Sequence, residues 1–168
     1  SDVYGTILQE AGIAEGYVVD VLDRAFTGVS GTTYTSWSGL ESISSSAVYA
    51  GNSAGGNSSI QLRSTNSNSG IVSTTSGGHA KKVVLEWNSS TSQGRTLNIY
   101  GSNTPYSAAT DLYNTETQGT LLGTIIYGTS TELKIDGDYE YIGLRSNSGA
   151  MYLTEVKITW EEATETAE

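Results

Sequence analysis

The sequence predicts an all-β fold, a single antiparallel β-sandwich, and three observations carry that prediction. The runs Lys81–Trp87, Arg95–Tyr100, Tyr139–Arg145 and Met151–Trp160 alternate apolar and polar residues, as strands with one buried face do. Short clusters of Gly, Asn, Ser and Asp punctuate the chain between such runs. At 168 residues with no cysteine, the chain is long enough to bury about 70% of its unfolded surface in one core without cross-links.

Taken in order, residues 1–16 are weakly patterned and read as a lead-in or linker, with Gly12 and Gly16 interrupting any helix. The domain proper spans 17–160. Tyr17–Leu22 is its first short apolar strand, Thr33–Trp37 the next, with another around Ser46–Tyr49. Gly51–Asn57 is small, polar and Gly/Asn-rich, hence a loop. Ser59–Arg63 and Ile71–Thr74 flank Ser64–Gly70 and read as a hairpin. Ser76-Gly77-Gly78 turns the chain into the strand ending at Trp87.

After Tyr100 comes a long irregular stretch, Gly101–Thr120, holding the single proline with Tyr106 and Tyr113; loops of this length in compact domains are often functional. Leu121–Tyr127 and Thr131–Ile135 suggest a second hairpin, and Asp136-Gly137 turns into the closing pair of strands. Residues 161–168 form an acidic tail.

Alternation assigns the faces. Val83, Leu85 and Trp87, Leu97 and Ile99, Ile142 and Leu144, and Val156, Ile158 and Trp160 with Tyr152 and Thr154 form the expected core rows. Asn98 and Tyr100, Tyr141 and Arg145, and Glu155 and Lys157 form the opposite rows, expected at a solvated face.

Composition narrows the function classes. Charge is sparse and acidic, with a formal net charge of −10, and no stretch interleaves basic with aromatic residues. Nucleic acids and anionic membranes require a positive field, so neither is an expected partner. No run of about 18 apolar residues is present, so no membrane insertion is expected. Eleven Tyr and three Trp stand among abundant Ser, Thr, Asn and Gly. Such rings are good strand residues, and beside neutral hydrogen-bonding groups they are also the chemistry of sugar recognition.

Catalytic vocabulary is thin. A single histidine, His79, and no cysteine leave zinc without its usual ligands. No nucleophile elbow, dinucleotide fingerprint, P-loop or EF-hand loop is present. Glycoside hydrolysis needs two carboxyls flanking one bond, and Glu86, on the non-core face of its strand, is the most interesting candidate. The chain is therefore not expected to be an enzyme.

The segment Leu97-Asn98-Ile99-Tyr100-Gly101-Ser102 and the closing stretch YEYIGLRSNSGAMYLTEVKITW (139–160) resemble the back half of galactose-binding-like jelly rolls, which include discoidin-type and many carbohydrate-binding modules. They are also similar to uncharacterised β-sandwich domains of gut-bacterial surface proteins. The resemblance covers about residues 80–160. It implies a jelly roll whose ligand sits in loops at one end, on an aromatic platform with a nearby Arg, Asn or acid. Relatives often hold a structural calcium. This chain shows no acidic cluster for one, although backbone carbonyls can supply much of such a site.

One internal echo points to the polar partners. Leu62-Arg63-Ser64 followed by Asn68-Ser69-Gly70 parallels Leu144-Arg145-Ser146-Asn147-Ser148-Gly149. Asn-Ser-Gly is also ordinary turn chemistry. The expected function is a non-catalytic carbohydrate-binding module of a secreted or cell-surface bacterial protein, with a glycan or polysaccharide as partner. Its expected ligand-binding residues are Tyr106 and Tyr113, then Trp37 and Tyr34, with Arg63, Arg145 and Asn147 as polar groups. The competing expectation is a structural or adhesive module, a bead of a larger surface protein or a virion decoration, with no small-ligand site.

Overall fold

The computed structural model describes residues 16–163. The predicted lead-in, apart from Gly16, and the end of the acidic tail lie outside that range. The fold is an all-β sandwich of two antiparallel sheets, compatible with a jelly roll. Its elements are β1 (Tyr17–Leu22), α1 (Arg24–Thr27), β2 (Thr35–Glu41), β3 (Val48–Ser53), β4 (Ile60–Leu62), β5 (Gly70–Thr75), β6 (His79–Trp87), β7 (Thr96–Ser102), β8 (Thr120–Ile126), β9 (Glu132–Lys134), β10 (Tyr141–Ser146) and β11 (Met151–Glu161). One sheet runs β1-β11-β6-β9, with β4 also pairing β11; the other runs β2-β3-β5-β10-β7-β8.

Most consecutive strands alternate between sheets; only β2–β3 and β7–β8 pair with their sequence neighbour. Both hairpins expected from sequence are therefore replaced by crossovers. β4 pairs with β11 while β5 pairs with β3 and β10. β8 pairs with β7 while β9 pairs with β6. A short polar turn between two apolar strands looks the same in either case. The strands separate because their apolar rows bury more surface facing each other across the core than lying edge to edge.

The core between the sheets holds the predicted Val83, Leu85, Leu97, Ile99, Ile142, Leu144, Val156, Ile158 and Trp160. Trp87 only packs against its margin. In β11 the expected row fails at its start: Met151 and Leu153 are buried, and Tyr152 and Thr154 are not. A register shift between Leu153 and Glu155 changes the phase of the strand, so the residues before it face the opposite way from simple alternation.

Gly51, Asn52 and Ser53, expected in a loop, belong to β3 and are buried. A Cβ at Gly51 would lie 2.4 Å from Cζ2 of Trp37, so glycine there admits the indole against the sheet. Composition read as a loop because the signal of close backbone approach is the same residue type.

The outer face of the six-stranded sheet is not solvated as expected. The stretch 103–119 folds over it, and Ala109–Tyr113 forms a short 3-10 turn. Ala50, Val72, Tyr100, Tyr106 and Leu112 make a second small core there, bordered by Tyr113 and Tyr141. Gly143 lies beneath: a Cβ on it would meet Leu112 Cδ2 at 2.5 Å. Tyr100 is buried as a result, and Asn98 is buried among Tyr100, Thr124 and Asn147. On the five-stranded sheet the outer face stays open, and Lys157 Nζ lies 3.6 Å from Glu155 Oε1.

Candidate functional site

Two of the crossings between sheets share one end of the sandwich. Leu62 at the end of β4 stands opposite Met151 at the start of β11, and Leu144 of β10 stands opposite Ile71 of β5. The turns 63–69 and 147–150, the two halves of the sequence echo, are thus neighbours. Arg63 begins one turn and Arg145 precedes the other.

Each arginine lies on a tyrosine. The Arg63 guanidinium sits 3.8 Å from the ring centroid of Tyr34, and that of Arg145 sits 4.2 Å from the centroid of Tyr113. Such stacking fixes the plane of the guanidinium and contributes about 0.5–2 kcal/mol. Tyr113 reaches down from the covering loop to donate its hydroxyl to the Ser69 carbonyl at 2.7 Å. Arg145 Nη1 donates to the Leu112 carbonyl at 2.8 Å. The loop, the turn 63–69 and β10 are thereby tied together. Burial raises the Tyr113 hydroxyl above its ordinary pKa, and the positive charges of both Arg145 and Arg63 act against that rise. Tyr34 behaves alike: burial raises it and Arg63 opposes.

Beside this cluster an open cleft of about 310 Å³ runs between β2–β3 and the covering loop, lined by Ser36, Ser38, Asn52, Asn68, Ser107 and Thr110 among others. Asn52 donates through Nδ2 to Ser36 Oγ at 2.9 Å, but its own Oδ1 is buried with no donor. Asn68 Oδ1 is buried and unpartnered as well. Two acceptor oxygens withdrawn from water and unpaired are costly to the free protein, of order 1–3 kcal/mol each.

The structure therefore gathers Tyr34, Arg63, Tyr113 and Arg145 at one end and places Trp37 on the wall of the adjoining cleft, while Tyr106 and Asn147 are turned to other tasks. Tyr106 is 2% exposed, its hydroxyl donating to the Gln118 carbonyl at 2.7 Å, so its ring packs the second core and offers no platform. Trp37 is half-buried, edge-on to Phe26 at 6.5 Å, with Nε1 donating to Ser53 Oγ at 3.0 Å. Asn147 is exposed but turned sideways, donating to Asn98 Oδ1 at 2.9 Å and accepting from Thr96 Oγ1. Asn52 was hidden from sequence reasoning by its loop-like surroundings; Asn68 lies inside the echo and was legible there.

A further aromatic pair escaped the strand patterning. Trp87 and Tyr127 lie 5.2 Å apart at 47°, on an open cleft with Glu86 and Thr131. Glu86 faces Glu155 across the β6–β11 ladder. At the opposite end, His79 Nδ1 is 3.8 Å from Asp138 Oδ1 on the surface. Among the described residues no group of three or more His, Cys, Asp or Glu side chains could hold a metal, and no helix is long and apolar enough to cross a membrane. Comparison of the chain with protein-family models, curated proteins and solved structures finds no match.

Proposed function

We propose that this chain is a non-catalytic carbohydrate-binding module of a secreted or surface bacterial protein, in keeping with its resemblance to galactose-binding-like jelly rolls. The observation that carries this reading is the cleft in which the hydroxyl and amide groups of Ser36, Ser38, Asn52, Asn68 and Thr110 gather around Trp37, with Asn52 Oδ1 and Asn68 Oδ1 buried and unpartnered beside it. Sugar hydroxyls are the donors such oxygens lack. A ligand hydroxyl that draws either amide outward would pair it and recover its desolvation penalty. Trp37, which lines the cleft, would supply the flat apolar contact, and Tyr34 and Tyr113 with their arginines belong to the adjoining turn and loop.

The test is a glycan array with polysaccharide pull-down, run with calcium and with chelator, on the wild type, Asn68→Ala and Tyr106→Phe. Selective binding that falls roughly tenfold or more in Asn68→Ala and persists in Tyr106→Phe supports the site. Silence across a broad panel overturns it.

A second reading, a structural or adhesive module, draws on a different place. Ile43 is fully exposed at 104% and Val21 is 46% exposed, both on a cleft shared with Ala25 and Phe26. Exposed aliphatic groups gathered on one concavity suit contact with another protein surface.

A further inference from the structure

We infer that Arg63 and Arg145 together hold the carboxylate of an acidic sugar, such as a uronic acid, an inference that rests on the glycan-binding reading above. The chain has four arginines, and two are engaged elsewhere. Arg95 donates from Nε to the Ala150 carbonyl at 3.0 Å and from Nη1 to the Ser148 carbonyl at 2.6 Å. Arg24 reaches the Ser30 carbonyl.

Arg63 and Arg145 differ. Among the described residues neither forms an ion pair; those present involve His79, Lys81 and Lys157. This holds in a chain with 18 acidic residues against eight basic ones. The Arg63 side chain makes no hydrogen bond to any described residue, and Arg145 makes one, to the Leu112 carbonyl. The Nε of each is buried without an acceptor. Each guanidinium plane is instead set by a tyrosine face, so its orientation is fixed while Nη hydrogens stay unclaimed.

A planar guanidinium with free Nη donors matches a carboxylate in a two-pronged geometry that an ammonium cannot reproduce. Arg145 lies on Tyr113, whose hydroxyl donates to the Ser69 carbonyl of the turn that Arg63 begins, so the two forks stand on adjoining elements at one end of the sandwich. The amide and hydroxyl groups of the neighbouring cleft would then take the sugar's hydroxyls. The net charge of −10 repels anions at long range, so capture depends on these local forks and gains nothing from steering.

The experiment follows the arginine Nε–H resonances of the full chain by NMR during titration with glucuronate, glucose, acetate and sulfate. Glucuronate is expected to move the Arg63 and Arg145 signals saturably while Arg95 stays still. Arg63→Gln should weaken glucuronate binding roughly tenfold or more. Arg145→Lys, which keeps the charge and loses the fork, should also weaken it, with thermal melting confirming that both variants fold. Unmoved signals, or variants that bind as the wild type does, overturn the inference. A neutral oligosaccharide that binds with both arginines unmoved overturns the acidic sugar and leaves the glycan reading standing. Equal responses to acetate, sulfate and glucuronate show a general anion site and overturn the inference, while the glycan reading stands or falls on the array.

Discussion

Trp160 donates its indole Nε1–H to Asp20 Oδ2 at 3.0 Å, joining the last strand to the first inside the core. The same carboxylate accepts from Tyr49 at 2.5 Å, from Ser45 at 2.8 Å and from Ser42. Asp20 is 2% exposed, so this charge is withdrawn from water and met by neutral donors from β3, β11 and the β2–β3 connection. A buried carboxylate satisfied in this way ties the two sheets together at the end opposite the candidate site.

Replacing Asp20 with Ala strands several buried donors at once. The expected loss is about 3–5 kcal/mol, in the range seen when one member of a buried charged network is removed. Urea denaturation of Asp20→Ala measures it. A loss under about 1 kcal/mol would show that water replaces the carboxylate.

Stability should fall in strong alkali. Burial, reinforced by the Asp20 charge, holds the Tyr49 hydroxyl well above its ordinary value of 10.0, and burial with Asp111 nearby raises Tyr106. Both are neutral in the folded state at pH values where the unfolded chain ionises. Their contribution is whole below pH 10 and is lost as pH climbs from there toward the folded values. Each costs about 1.4 kcal/mol per pH unit across that window. Tyr106→Phe should shallow the alkaline slope by one such increment in denaturant melts taken at successive pH values; an unchanged slope would refute the assignment.

The second core depends on the close approach of Leu112 to Gly143. Leu112→Ala should cost about 2–5 kcal/mol, as large-to-small core changes do. Gly143→Ala, whose Cβ would meet Leu112 Cδ2 at 2.5 Å, should lift the covering loop and cost about 1–3 kcal/mol. Hydrogen exchange would register the second effect as faster exchange in residues 109–113. Protection equal to the wild type would mean the loop is held from elsewhere.

The turn inside the candidate site carries backbone strain. Asn66 and Ser67 both have positive φ, at 68° and 51°. Asn tolerates that region; Ser has no such compensation. Ser67→Gly is expected to stabilise the fold by about 0.5–1 kcal/mol, read as a higher denaturation midpoint. A lower midpoint would mean that the serine side chain holds the turn.

Much of this architecture is legible in the residues. Val83, Leu85, Leu97, Ile99, Ile142, Leu144, Val156, Ile158 and Trp160 alternate because a two-faced strand must hide one face, and that requirement needs no partner to be known. The turns that carry Arg63 and Arg145 are also legible there, as a repeated Arg-Ser followed by Asn-Ser-Gly. What alternation could not carry was a break in its own phase, and the register shift after Leu153 turned Met151 inward and Tyr152 outward.

The sequence by itself determined the class of fold, its main core rows and the two arginine-bearing turns, because periodicity and turn chemistry are local. Only the tertiary structure decided which sheet each strand joins, which face the 103–119 stretch covers, and that Tyr106 is core while Arg63 lies on Tyr34. Those outcomes depend on which apolar surfaces meet across the core and on contacts between residues distant in the chain. A pattern read a few residues at a time contains no record of them.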